Sequence, residues 1–429
     1  MISNKQIVAI DLGSSHISAM AAEIQEDDSI KILSEESKAS DDVKWGIVEQ
    51  PSGAAFKISE LQKLLQNSAK MFDISMVSVG VGAKSMKHNA VSVSRFIGKP
   101  NIVTEALLAE MLDECKRKSE RNDRTIFDVI PLSYYVDDQR MDDPVDQKGY
   151  QILANYHVIS GNAIIRAELE RCFDRTGISL EYCPLTVEAL STVLLDEQEL
   201  DAGCALINFG ATTTTLAVYS EGALQYLSVV PLGAKNITKD IQELGVTEAN
   251  AERLKCLKGV AMESFIDDPI YIQIPSTLDG NIPVKISTKF LATIIEARLE
   301  EIMQPIFEAI ARFEFPLNAG IIITGGGSKL TNIIDFISLK TGIYTRFGDH
   351  SEWLADGTNE KYFDPSYSQL IGTIVLTNEY RKEHPIEITI VDTINGPKIK
   401  KRNIGEKIAN GFFNFFGDEN KFENKEVSK

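Results

Sequence analysis

Asp11, Gly13, Ser14 and Ser15 stand between two apolar runs in the stretch IVAIDLGSSHISAM, residues Ile7–Met20. An apolar run that meets Asp, turns on Gly and hydroxyls, and resumes apolar alternation reads as a strand, a tight turn and a returning strand. Glycine admits turn geometries closed to other residues, and small hydroxyl neighbours leave backbone N–H groups open to an anion. Asp11, at the mouth of the turn, is placed to hold a hydrated cation. One such turn is usually just a hairpin. Here the plan recurs. CALINFGATTTTLAVY, Cys204–Tyr219, repeats it with Asn208, Gly210, Thr212 and Thr213. GIIITGGGSKL, Gly320–Leu330, adds a buried strand ending in Gly325, Gly326 and Gly327, followed by Ser328. Two phosphate-type turns and a glycine-rich turn suit a nucleoside triphosphate with Mg²⁺. Such a ligand needs backbone donors, few anions and a carboxylate for the metal's waters.

The elements that must carry these turns can be read in order. Ser29–Ser34 reads as a strand, and Asp41–Gln50 as a loop returning into a short strand. Leu61, Leu64, Leu65 and Ala69 lie at helical spacing, which predicts a helix over Ser59–Met71 capped by Ser59. Met76–Gly82 alternates like a half-buried strand. From Ala83 to Gly161 the pattern changes to a small α+β module. Its parts are a strand at Val91–Phe96, a helix Thr104–Ser119 capped by Thr104, a strand pair over Thr125–Val136 broken at Pro131, and a strand at Gln151–Ile159. Helices follow over Asn162–Gly177 and Leu185–Leu195, ahead of the second hairpin. Later come a strand at Leu227–Val230, a helix from Asn236, another at Thr247–Lys258, and two short strands within Tyr271–Ile286 turning at Leu278–Asn281. A long helix spans Thr288–Phe313, and two more span Lys329–Lys340 and Ser366–Thr377.

These motifs, in this order and at these separations, resemble the actin/Hsp70/sugar-kinase ATPase superfamily, and within it the bacterial division protein family FtsA. The resemblance covers nearly the whole chain. It implies a two-lobe actin-like (ribonuclease H-like) α/β fold. Residues 1–82 and 162–200 would form the first lobe, with about 350–380 returning to it, and residues 83–161 an inserted α+β subdomain. Residues 201–232 and 291–349 would form the second lobe's core and 233–290 its small subdomain. Actin carries its insert later in the first lobe; FtsA and the pilus protein PilM carry it here. Carried over residue by residue, Asp11, Gly13, Ser14 and Ser15 match the first phosphate motif, and Gly210, Thr212 and Thr213 the second. Gly325, Gly326, Gly327 and Ser328 match the adenosine motif. Glu252 and Lys255, in AERLK, fall where the family has a helix that touches ribose and base.

Two residues depart from the pattern. The second hairpin usually opens with Asp, where this chain has Asn208; Asn can bond a metal-bound water but offsets no Mg²⁺ charge. The first usually carries a Lys where this chain has His16. Asp11 and Asn208 would therefore reach the metal through water, with reduced stabilisation of a transferring phosphate. Glu188 is the one carboxylate that can be named as a base. ATP binding with weak or no ATPase activity is the expectation.

Pro397–Lys407 gathers Lys398, Lys400, Lys401, Arg402 and Lys407. Beyond it, Ile404, Ile408, Phe412 and Phe415 share one helical stripe, with Phe413 nearby and Ala409 and Phe416 at the edge. As a helix the segment would be about 20 Å long, too short to span a bilayer and suited to lying in its surface with lysines toward anionic lipid. Residues 385–403 read as a linker, 404–416 as a membrane-targeting helix and 417–429 as a polar tail. This too resembles FtsA.

A chain of 429 residues with 43% hydrophobic content can bury more than one core. Its net charge of −18 argues against a nucleic-acid partner. Five cysteines without CxxC spacing read as reduced thiols. The N-terminus enters a strand within a few residues, leaving no room for a signal peptide, and no run approaches a membrane span, so a cytoplasmic protein is expected. The resemblance then implies a peripheral protein on the cytoplasmic face of the inner membrane at the division site. It would form filaments, bind the C-terminal peptide of FtsZ through residues 233–290, and recruit later division proteins. The alternatives are a PilM-like pilus adaptor and, with less support, an Hsp70-like ATPase or a sugar kinase.

Overall fold

The computed structural model describes residues 5–69, 74–275 and 283–384. Its elements run β1 Gln6–Leu12, β2 His16–Ile24, β3 Ile30–Ala39, β4 Val43–Lys44, β5 Ile47–Val48, α1 Pro51–Ser68, β6 Met76–Val79 and β7 Lys87–Ile102. Then come α2 Glu105–Ser119, β8 Arg124–Val136, β9 Gln139–Met141, β10 Lys148–Asn162, α3 Ile164–Phe173, β11 Ser179–Leu180, α4 Thr186–Leu194 and α5 Glu197–Ala202. The second half holds β12 Cys204–Phe209, β13 Thr214–Ser220, β14 Ala223–Val230, α6 Ala234–Gln242, α7 Glu248–Lys258, β15 Tyr271–Ile274 and β16 Val284–Ser287. It closes with α8 Thr288–Ile310, β17 Gly320–Thr324, α9 Ile333–Thr341, β18 Thr345–Phe347 and α10 Ser368–Glu383.

Two five-stranded sheets dominate, ordered β11-β6-β1-β2-β3 and β14-β13-β12-β17-β18. They repeat one plan. In each, an antiparallel hairpin (β1–β2, β12–β13) is extended by a further antiparallel strand and flanked on its other side by parallel strands. β1 and β12 are almost entirely apolar because both faces are covered, as parallel-flanked strands require. The second lobe's core joins Ile207, Phe209, Leu216, Ile321 and Ile323 of its sheet to Ile295, Leu299 and Ile302 of α8. This is the two-lobe actin-like α/β fold.

Residues 5–88 and 161–376 form one compact unit, which holds both lobes. Residues 89–160, with 377–384, are counted to a second. Within the latter, the sheet β7-β10-β8-β9 packs Val129, Ile152, Ala154 and Tyr156 against Leu108, Met111 and Cys115 of α2.

Several local expectations need correction. α1 starts at Pro51, not near Ser59, because proline at the first helical position is already set for a helix; Ser59 is mid-helix. β8 is one strand through Pro131 rather than a broken pair. β9 pairs only with Tyr134–Val136, so at Pro131, which is exposed, no described strand needs its missing N–H on that side. Asn162 ends β10 and accepts a bond from the Ile164 N–H, delaying α3. Asn332, left-handed at φ 62°, separates the turn at Gly326–Lys329 from α9, so Lys329–Lys340 is not one helix. Thr104 does cap α2, and Thr247, expected as the first helical residue, is instead the cap of α7. The turn expected at Leu278–Asn281 and everything expected beyond Pro385 lie outside the described residues.

Candidate functional site: a cleft between two glycine turns

The turns after β1 and β12 face each other across a cleft of about 1220 Å³ within the first unit. Of the residues singled out from the sequence, Asp11, Gly13, Ser14, Ser15, His16, Asn208, Gly210, Thr212, Thr213, Glu252, Lys255, Gly325, Gly326 and Gly327 all line it. Ser328 does not; it is fully buried and donates to the Gly325 carbonyl, closing the turn from below. Glu188 is absent from the lining. Its backbone carbonyl accepts from Ser191 and Thr192, and its charge is felt by the buried Tyr219 hydroxyl. The basic and aromatic residues Lys400, Lys401, Arg402, Ile404, Lys407, Ile408, Phe412, Phe413, Phe415 and Phe416 lie outside the described residues.

Close backbone approach explains the glycines. A Cβ at Gly13 would sit 2.6 Å from the His16 carbonyl, and one at Gly327 would strike the Phe209 ring at 2.6 Å. Gly325 has φ +88° and would meet the Asn208 side chain at 2.5 Å. A Cβ at Gly326 meets nothing within 4 Å. That position opens on free space, so glycine there leaves room for a ligand and is not needed for packing.

The Asp11 carboxylate keeps some contact with solvent in the cleft, yet protein surrounds it closely. This desolvation pushes its pKa up to about 6, against the lowering effect of a bond from Gln369. Gln369 Nε2 donates to Oδ1 at 2.9 Å from the first turn of α10. Among the described residues no cation pairs with Asp11. Sequence reasoning missed Gln369, whose only signal was its place at the start of a connecting helix. On the second turn, Thr212 Oγ1 donates to Ser14 Oγ at 2.8 Å, joining the two hairpins directly.

The Glu252–Lys255 pair is arranged differently from a free contact pair. The Lys255 ammonium, nearly buried, donates to the Ala234 carbonyl, to Thr238 Oγ1 and to Glu252 Oε2. Burial alone would raise the Glu252 pKa, but bonds from Lys255 and Thr238 outweigh it and lower the value. The pair therefore ties α7 to α6 on the wall of the cleft. Beneath the third turn, Thr324 Oγ1 reaches Ser368 Oγ at 3.2 Å, and Ser368 meets the buried His350 ring at 3.0 Å.

Comparisons with known proteins agree with this architecture. The sequence model of the cell division protein FtsA matches residues 205–372, and that of the SHS2 domain inserted in FtsA matches residues 83–160. The FtsA of Borreliella burgdorferi is 27% identical over 96% of this chain and 99% of its own length. That of Neisseria meningitidis is 28% identical over 86% and 89%. Among solved structures, a PilM–PilN type IV pilus biogenesis complex aligns with TM-score 0.64 at 15% identity, over 88% of this chain and 99% of the other. ADP-bound MreB5 of Spiroplasma citri aligns with TM-score 0.55 at 14% identity, over 88% and 98%. At such identities these last two speak for the fold alone. The two sequence models together span more than half of the residues, on the fold that the strand order displays, and the chain belongs to the FtsA family of actin-like bacterial cell division proteins.

Proposed function

We propose that the chain is an ATP-binding, filament-forming adaptor that holds FtsZ at the inner membrane and recruits later division proteins. The observation that carries nucleotide binding is Asp11. It is a desolvated carboxylate with no described cation beside it, facing two turns of glycine and hydroxyl. A desolvated anion of this kind calls for a counter-cation. Among the described residues there is no cluster of three or more metal-ligating side chains. An ion here would take its other oxygens from phosphate and water, which fits Mg²⁺ with a nucleotide. Asp11 and Asn208 would accept from metal-bound water. Gly13, Ser14, Ser15, Gly210, Thr212 and Thr213 would donate to phosphate oxygens, and Gly325–Gly327 would leave room for adenosine. Mg²⁺, when bound, neutralises phosphate charge. With His16 and Asn208 at two positions where charge is usual, and Glu188 outside the lining, turnover is slow.

Calorimetry tests this. ATP should bind with an affinity that depends on Mg²⁺, while Gly326→Asp, which sets an anion in the open space, should abolish binding without unfolding the protein. Phosphate release at roughly 1 per second or above, as efficient kinases show, would contradict the adaptor reading.

Support for an FtsZ-peptide site comes from the small subdomain. The Thr288 N–H donates to the Ile270 carbonyl and the Ile270 N–H to Thr288 Oγ1, bringing exposed Ile270, Tyr271 and Phe290 to one edge, with Lys285 over the Tyr271 ring. An apolar and basic edge suits a short acidic peptide. No described helix is long and apolar enough to cross a membrane. Membrane attachment rests on the sequence stripe Ile404–Phe416 and its preceding lysines. Phe412→Glu with Phe415→Glu should release the full chain from anionic vesicles in a flotation assay, and a double variant that still floats would remove the anchor from the proposal.

A further inference from the structure

Trp45 sits where a glycine or asparagine would be expected. It and Gly46 are the two central residues of the β4–β5 hairpin turn, with Lys44 paired to Ile47, and both are left-handed, at φ +53° and +77°. Turns of this kind take Asn-Gly or Gly-Gly because bulky residues are strained there. A tryptophan held in that conformation needs a reason outside the turn.

Its contacts supply one. The Trp45 backbone N–H donates to Thr212 Oγ1 at 3.1 Å, the same hydroxyl that donates to Ser14. Its indole N–H donates to the Pro231 carbonyl at 3.2 Å, at the end of the second lobe's β14. The ring is fixed by the Lys44 and Lys84 ammonium groups, 4.3 and 3.4 Å from its centroid. Asp41, four residues earlier, meets Lys235 of the second lobe at 2.6 Å. One short loop of the first lobe thus makes three ties across the cleft, all on the phosphate side.

We propose that Trp45 is a positioning residue and that the loop 41–46 is a clasp which tightens over a terminal phosphate. The proposal rests on the nucleotide-binding reading given above. By occupying a lone pair of Thr212 Oγ1, the Trp45 N–H fixes where that hydroxyl aims its own hydrogen. In the structure the hydrogen goes to Ser14, and the seam consists of neutral bonds and one exposed ion pair, each weak. A terminal phosphate between the turns accepts from both hydroxyls, and charge-assisted bonds are about twice as strong as neutral ones. A diphosphate offers no acceptor at that place. The clasp therefore distinguishes triphosphate from diphosphate and holds the lobes together in the first state.

The test uses the full chain carrying Trp353→Phe, which leaves Trp45 as the single tryptophan, since the sequence has two. Among the described residues the Trp353 indole N–H has no hydrogen-bond partner, so its loss strands no acceptor there. Iodide quenching of Trp45 is measured without nucleotide, with Mg²⁺–ADP and with a non-hydrolysable Mg²⁺–triphosphate, alongside calorimetry of each. Quenching should fall about twofold with triphosphate and little with ADP, and Thr212→Val should erase the difference. In the otherwise unaltered chain, Trp45→Phe, which keeps a ring for the lysines but loses the Pro231 bond, should narrow the ATP-to-ADP affinity ratio several-fold. Triphosphate binding by calorimetry with identical quenching in all three states would overturn the clasp alone, as would an unchanged ratio in Trp45→Phe. Absence of any nucleotide binding would overturn the clasp together with the reading it rests on.

Discussion

β1–β2 and β12–β13 are the same device built twice, each a fully paired antiparallel hairpin flanked by a parallel strand, with the turn aimed into one cleft. They differ in what stands at the mouth. The first presents Asp11, desolvated and oriented by Gln369 from α10. The second presents Asn208, neutral and packed where a Cβ on Gly325 would strike it. One hairpin carries the charge that can meet a metal, and the other carries a polar group that also packs against the glycine turn at Gly325. The fold is symmetric and its electrostatics are not. With no carboxylate on the second turn, Mg²⁺ dependence should fall on one residue of the pair.

The largest effect should come from breaking that asymmetry at its charged end. Asp11→Asn keeps shape and the bond with Gln369 but removes the charge, and should lower Mg²⁺–ATP affinity by about 100-fold, which is the scale of one well-oriented charged bond, about 2–3 kcal/mol. Asn208→Ala should cost less than about tenfold, the share of a neutral bond. Calorimetry on both variants decides it; equal losses would mean that the hairpins share the metal.

The same residue should act in the opposite sense on stability. The Asp11 pKa rises from 3.8 to about 6 through burial, so the folded state holds this proton more tightly than the unfolded one. Below pH 3.8 both states are protonated and the group is neutral in its effect. Between pH 3.8 and about 6 the unfolded chain releases this proton while the folded one keeps it, so stability falls across that window, and above about 6 the folded protein carries a poorly hydrated charge. Two pKa units correspond to about 3 kcal/mol, cut to about 1–2 by water in the open cleft. Without Mg²⁺ and nucleotide, Asp11→Asn should therefore melt higher than wild type at pH 7.5 and equally near pH 4. Asp128, lifted by burial to about 6 in the second unit, is the same in both proteins and drops out of the difference.

Much of this was legible in the chain because hairpin and chemistry are written together. Apolar runs meeting Gly and hydroxyls mark the turns, and the structure brings those turns to one cleft. What could not be read comes from distant positions. Gln369 reaches Asp11 across 358 residues, and Trp45 reaches Thr212 across 167. No local spacing announces such a pair. Lys255 looked like a ligand because its helix was placed correctly, but its donors are engaged by Ala234, Thr238 and Glu252, which only the docking of α7 on α6 could reveal. Ser59 misled because a good cap residue need not cap when Pro51 starts the helix earlier.

A smaller change should sharpen the comparison by making the hairpins alike. Asn208→Asp supplies the charge that the second turn lacks. With metal present it should raise Mg²⁺–ATP affinity by about threefold to tenfold. Without metal it should lower ATP affinity, because two carboxylates then face the phosphates. A titration of ATP affinity against Mg²⁺ concentration should thus become steeper. An unchanged slope would mean that Asn208 serves the Gly325 turn and not the metal.

The smallest effect concerns His16, which opens β2 beside the first turn. Its ring is exposed in the cleft, with Nδ1 at 3.0 Å from Ser15 Oγ, and its backbone pairs with Ala39 of β3. The strand, not the side chain, holds the residue in place, so substitution should leave the hairpin intact. His16→Lys sets a flexible ammonium near the phosphates, at the cost of the Ser15 contact and of ordering a long side chain, about 1–2 kcal/mol in lost rotamer freedom. A cation on an open cleft wall gains little more than that. ATP affinity should rise no more than about twofold to threefold, more for ATP than for ADP because the added charge meets the terminal phosphates, and the gain should shrink as salt rises from 50 to 500 mM. Calorimetry at the two salt concentrations reads this directly. A gain as large for ADP as for ATP would mean that residue 16 faces the inner phosphates, and the first hairpin would then differ from the second in reach as well as in charge.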